Sequence, residues 1–190
     1  MFSLVLVGAM AVAADPAASR LAVIQDAPDF ALTTQDGGTL KLADLKGRVC
    51  LVSFVFTTCN GTCPATTHRM GQVQAALKQR GLDKGDRVRL LSITLDPARD
   101  TPEVLRKYMS LYDAEPANWT FLTGDPKAIE TFGARLGVFV ARASNDPRDI
   151  SHNLRTAIVG PDGKLIKVYT GNEWTPDEIL ADLKPTANAD

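Results

Sequence analysis

Apolar side chains fill seven of the eight positions from Val49 to Phe56, broken only by Ser53, and such a run predicts a central strand covered on both faces. The spacing then becomes helical. Met70, Val73 and Leu77 form one stripe between Pro64 and Arg80; the proline suits the first helical position because its missing N–H costs nothing there, and Gly81 is the stop. Val88 to Leu95 reads as a second strand, and strand, helix and strand of these lengths imply a right-handed crossover between parallel strands. Three further helices start where a capping oxygen precedes a proline, at Thr101-Pro102, Asp125-Pro126 and Thr175-Pro176, the last also a capping box with Glu178.

Turn residues complete the order of elements. Asp36-Gly37-Gly38 joins Phe30–Leu32 to Thr39–Leu42 as an N-terminal hairpin, and Pro161-Asp162-Gly163 joins Leu154–Val159 to Leu165–Tyr169 as a late antiparallel one. A short strand is placed at Trp119 to Leu122. The chain therefore predicts one α/β domain over residues 27–185, a central mixed sheet with helices on both faces, followed by a flexible tail over 186–190.

The first residues point to a compartment. Phe2 to Val12 is almost wholly apolar and closes on Ala11-Val12-Ala13-Ala14-Asp15, a small-residue pattern of the kind signal peptidases cut, in a run too short to span a bilayer. Residues 1–14 are set apart as a signal peptide or the remnant of an anchor, with 15–26 as linker; a buried N-terminal strand is the alternative. Export places the domain in the periplasm or another extracytoplasmic space, tethered to a membrane at most through this segment. Among 190 residues, 21 Lys and Arg against 22 acids leave a net charge of −1, which gives no electrostatic basis for a nucleic acid partner. No phosphate loop, Gly-x-Ser-x-Gly elbow or Cys-x-x-Cys-His haem site occurs, so nucleotide and hydrolase chemistry fall away.

Three cysteines are too few for a disulfide scaffold. Cys50 lies inside the apolar strand and reads as a small hydrophobe. Cys59 and Cys63 are different. In Thr57-Thr58-Cys59-Asn60-Gly61-Thr62-Cys63-Pro64 they stand past the carboxyl end of the central strand, at the start of the helix it feeds, where open α/β sheets bind ligands. The partial positive charge of a helix start favours thiolate, so Cys63 is expected to have a lowered pKa. The two sulfurs can form a disulfide or share one soft metal ion. Of the two histidines, His68 falls with Gln72 and Gln79 on the helix face opposite the Met70 stripe and is expected to face solvent. His152, expected in the loop ahead of a strand starting at Asn153, is open to two readings, a solvated loop side chain or a third donor. Two thiolates and an imidazole would suit copper, sulfur favouring Cu(I) and the imidazole accommodating Cu(II); zinc normally requires a fourth closed ligand that is missing here.

With these residues in place, the sequence resembles the Sco/SenC family of thioredoxin-fold copper proteins that help assemble the copper centre of cytochrome c oxidase. The likeness runs from about Ala27 to Leu183 and is carried by Phe56 to Pro64, by Leu95-Asp96-Pro97-Ala98-Arg99-Asp100-Thr101-Pro102-Glu103-Val104-Leu105, and by Phe121-Leu122-Thr123-Gly124. It implies a thioredoxin-like fold, copper on Cys59, Cys63 and His152, and a carrier rather than an enzyme. The implied partners are an oxidase subunit with its own copper site and an upstream copper donor. Where the family often has an acid between its cysteines and Asp-His-Ser around its histidine, this chain has Gly61-Thr62 and Ser151-His152-Asn153, and Asp96 and Asp149 are candidates to supply the missing charge. The competing function is a thiol:disulfide oxidoreductase, Cys59 attacking and Cys63 resolving, for which His152 is dispensable. A peroxide-reducing enzyme on the same fold would need a threonine and a proline where Phe56 and Val52 stand.

Overall fold

The computed structural model describes residues 21–187 other than 84–86, 144, 145, 147 and 148. The expected leader over 1–14, the first part of the linker and residues 188–190 lie outside the described residues. Strand β4 (Val49–Val55) is buried along its whole length. It pairs in parallel with β5 (Val88–Thr94), and β5 in parallel with β6 (Trp119–Thr123). On the other side of β4 the late hairpin, β9 (Arg155–Val159) and β10 (Lys164–Thr170), is added antiparallel, and the early hairpin, β2 (Ala31–Thr34) and β3 (Thr39–Lys41), docks antiparallel on β6. Gly37 closes the early hairpin with φ +84°, a left-handed conformation that glycine adopts without steric cost.

Alternation along the strands divides the core. Val49 and Leu51 of β4 and Val88 and Leu90 of β5 pack against α1 (Cys63–Gln79), α2 (Pro102–Ser110) and α4 (Pro176–Ala187), with Met70, Val73 and Leu77 as the expected stripe. Cys50, Val52 and Phe54 point to the opposite face and meet Ile129 and Phe132 of α3 (Pro126–Arg135). Cys50 is thus a core side chain. The proline-marked starts are real caps: the Thr101 hydroxyl accepts from Val104 N–H, the Asp125 carboxylate from Ala128 N–H, and Thr175 and Glu178 bond each other's N–H groups.

Four expectations are corrected. A two-residue strand β1 (Gln25–Asp26) pairs with β10, so the linker expected over 15–26 ends in the sheet; backbone hydrogen bonding sets this, and two residues carry no periodic signal. Helix α4 runs to Ala187, into the expected tail over 186–190. Cys63, rather than Pro64, is the first residue of α1. His152 is not in a loop: β7 (Val140–Arg142) and β8 (Ile150–His152) form a separate two-stranded ribbon, His152 ends β8, and β9 begins at Arg155.

Candidate metal centre

Beyond β4 the chain must turn sharply to enter α1, and three interactions fix that turn. Cys59 N–H donates to the Phe56 carbonyl at 3.1 Å, and Thr66 N–H reaches back to the Thr62 carbonyl at 3.0 Å as the helix begins. The third is Asp100, a carboxylate with no solvent exposure. It accepts from Thr57 N–H at 3.1 Å, from the Thr57 hydroxyl at 2.5 Å and from the Thr94 hydroxyl, binding the start of the cysteine loop to the end of β5. A buried carboxylate is tolerated when donors surround it in this way. Asp100 belongs to no motif of its own in the sequence; its one signal is its place inside the long 95–105 segment of the family resemblance.

The loop leaves Cys59 half-buried and Cys63 wholly buried on a small apolar bed of Val55, Phe56 and Ile150, with Val140 packed at its edge. His152 arrives from the ribbon. Its Nε2 lies 3.8 Å from Cys63 Sγ, its Nδ1 lies 3.1 Å from the Asn153 carbonyl, and its ring sits edge-on to Phe56 with centroids 6.0 Å apart. A carbonyl only accepts, so Nδ1 carries the proton and Nε2 presents its lone pair to the sulfur side. Burial holds the imidazole below the usual histidine range, outweighing the opposing pull of the Asn153 carbonyl, so the ring is neutral at pH 7.

Burial also reverses one expectation. The helix start was expected to lower the Cys63 pKa; instead removal from water, helped by a hydrogen bond with Cys59, pushes the thiol up to about 12. The field of a helix terminus is a smaller effect than desolvating a thiolate among Val55, Phe56 and Ile150.

Cys59 and His152 line one cavity of about 490 Å³ together with Asn60, Gly61, Asp146 and Asp149. Of the two acids expected to replace the family's carboxylate, Asp149 therefore stands at the site, joined by Asp146, whereas Asp96 is buried against Arg99. His68 lies elsewhere: it is exposed, bonds Gln72 at 3.3 Å and lines a separate groove of about 760 Å³ with Leu111 and Tyr112. Among the described residues no three of His, Cys, Asp and Glu are already gathered closely enough to hold a metal ion. No described helix is long and apolar enough to cross a membrane.

The SCO1/SenC family model matches residues 21–188. Three solved structures are similar to this chain. A SCO1/SenC family lipoprotein from Bacillus anthracis has a TM-score of 0.80 and 30% identity, with 90% of this chain and 100% of that one covered. BsSco, a member of the Sco family of cytochrome c oxidase assembly proteins in which a disulfide switch was identified, has a TM-score of 0.76 and 33% identity over 88% and 97% of the two chains. ScoI of Bradyrhizobium japonicum, solved with copper bound, has a TM-score of 0.71 and 28% identity over 85% and 99%. The mixed sheet flanked by helices is thus the thioredoxin-like architecture of these proteins.

Proposed function

Because the chain belongs to the SCO1/SenC family, we propose that it is an extracytoplasmic copper carrier serving cytochrome c oxidase assembly, with one copper ion held as cargo by Cys59, Cys63 and His152. The observation that carries this reading is the 3.8 Å approach of His152 Nε2 to Cys63 Sγ across 89 residues of sequence, with Nδ1 tied back to a carbonyl. Two sulfurs and a neutral imidazole are a soft donor set fitted to copper, and a hydrogen-bonded outer nitrogen is how ligating histidines are usually oriented. Cys59 is the accessible member. It lies on the open cavity while Cys63 is sealed below, so copper arrives at Cys59 and is closed upon by rotation of the thiols toward His152. The apolar bed excludes water from the bound ion, and Asp146 and Asp149 favour a cation at the mouth. The leader-like residues 2–12 and the lipoprotein relative support the extracytoplasmic location.

Thiol:disulfide exchange is the second reading, favoured by the two free thiols packed on one apolar bed at the head of α1. In that reaction Cys59 attacks an acceptor disulfide as thiolate, and Cys63 then displaces the acceptor's remaining sulfur to leave the Cys59–Cys63 disulfide and a reduced acceptor. Titrating reduced and oxidised protein with Cu(I) against a competing chelator separates the two. A carrier takes up one equivalent when reduced and none of comparable strength when oxidised; equal, weak uptake by both forms would leave only the exchange reaction.

Two further outcomes follow from the geometry. His68→Ala is expected to leave copper affinity within about twofold of the starting protein in the same titration, since an exposed side chain on another face contributes no more than a small surface effect. Copper must also expel the proton that burial keeps on Cys63, whereas neutral His152 releases none. The apparent affinity is therefore expected to rise at least about tenfold per pH unit between pH 6 and 8, one proton lost per unit slope. A flat profile would mean that Cys63 is not a ligand.

A further inference from the structure

The ribbon bearing His152 is a sheet of its own, so its position over the thiols is set by contacts other than pairing with the eight-stranded sheet. At its root every polar group of Asn153 is engaged. The side-chain carbonyl accepts from Phe139 N–H at 2.7 Å, the side-chain amide donates to the Gly137 carbonyl at 2.8 Å, and the backbone N–H reaches the Phe139 carbonyl at 3.4 Å. The remaining group, the backbone carbonyl, accepts His152 Nδ1–H at 3.1 Å. Gly137, whose carbonyl takes the side-chain amide's bond, has φ +81°, a conformation other residues rarely adopt. A second tether holds the far side of the ribbon: Arg142 donates to the Leu95 carbonyl at 2.8 Å and lies 3.7 Å from Glu130.

We propose that Asn153 is the positioning residue of this site: its side chain clasps the turn after α3 and so holds its own carbonyl where it orients the His152 ring with Nε2 toward Cys63. A primary amide is required, because the clasp uses one acceptor and one donor on the same short side chain. If the carbonyl moves away, the ring is released to the other tautomer, in which an N–H faces the sulfur and Nε2 has no lone pair to offer a metal. The consequence for copper rests on the carrier reading above; the orientation of the ring does not.

The test uses the reduced, metal-free full chain and reads the tautomer of each histidine by long-range ¹H–¹⁵N NMR, with copper affinity measured alongside. The starting protein is expected to show His152 as the Nδ1–H form. Asn153→Ala is expected to give a mixture, to speed amide exchange at Phe139 at least about tenfold, and to weaken copper binding roughly 10–100-fold, the usual effect of losing an outer-shell partner. Asn153→Asp keeps the shape and the acceptor but not the donor and is expected to fall between. Arg142→Ala loosens the far side alone and should leave the His152 signals as they were, with His68 unmoved throughout. An unchanged His152 tautomer in Asn153→Ala, or an equal change in Arg142→Ala, overturns the proposal. An altered tautomer in Asn153→Ala, joined to copper binding that neither it nor His152→Ala affects, upholds the clasp and counts against the carrier reading instead.

Discussion

Alanine at Cys63 is expected to lower the affinity of the reduced protein for Cu(I) by more than the roughly 100-fold typical of outer-shell changes, because it removes a ligand rather than a ligand's partner. Serine is expected to do no better. It matches the shape of cysteine but replaces a soft, polarisable sulfur with a hard oxygen that copper(I) binds poorly, and in a fully buried position it must also find hydrogen-bond partners. The fold should survive both changes, since the thiol is held protonated and its loss unpairs no charge. Thermal unfolding recorded beside the chelator competition makes the distinction: collapse of affinity with the transition nearly in place supports a ligand, whereas an affinity within tenfold of the starting value would remove Cys63 from the site.

The largest effect on stability is expected at Asp100. Alanine there leaves Thr57 N–H and the hydroxyls of Thr57 and Thr94 facing a void, and buried donors deprived of an acceptor cost on the order of 1 kcal/mol each or more, so about 3 kcal/mol is lost. For a domain of this size that corresponds to a fall in Tm of roughly 6–12 °C. Asp100→Asn should cost less than half as much, because its carbonyl can still accept from Thr57 N–H while its amide donates to a hydroxyl turned to accept. Equal losses in the two variants would show that the carboxylate's charge, not its pattern of acceptors, fixes the cysteine loop. Since Thr57 opens that loop, Asp100→Ala should also weaken copper binding in proportion to its disorder.

What could be read from the sequence was what depends on neighbours along the chain. The apolar run at Val49–Phe56 reads as a covered strand, and a capping oxygen before Pro102, Pro126 and Pro176 marks the starts of α2, α3 and α4, so these elements were legible, as was the place of Cys59 and Cys63 where β4 turns into α1; the same pattern at Asp96-Pro97 opens only a turn. Features set by distant parts of the fold were not. The β7–β8 ribbon has three residues per strand and a single buried position, Ile150, too little for an alternating pattern to show, so the sequence around His152 reads as a loop. Asp100 reads as one more charged residue near a helix start until β4 and β5 close around it. The sign of the Cys63 shift is hidden for the same reason: a helix terminus is visible in a sequence, but the Val55, Phe56 and Ile150 side chains that strip water from the sulfur are brought there only by folding.

The most direct test of the copper site is X-ray absorption at the copper edge on the reduced protein loaded with one equivalent of Cu(I), compared with His152→Ala prepared identically. The expected spectrum for the starting chain is fitted by two sulfur ligands and one imidazole nitrogen, with the nitrogen lost and both sulfurs kept in the variant. Two sulfurs alone in both proteins would contradict the proposed donor set and leave the histidine without a part in holding copper.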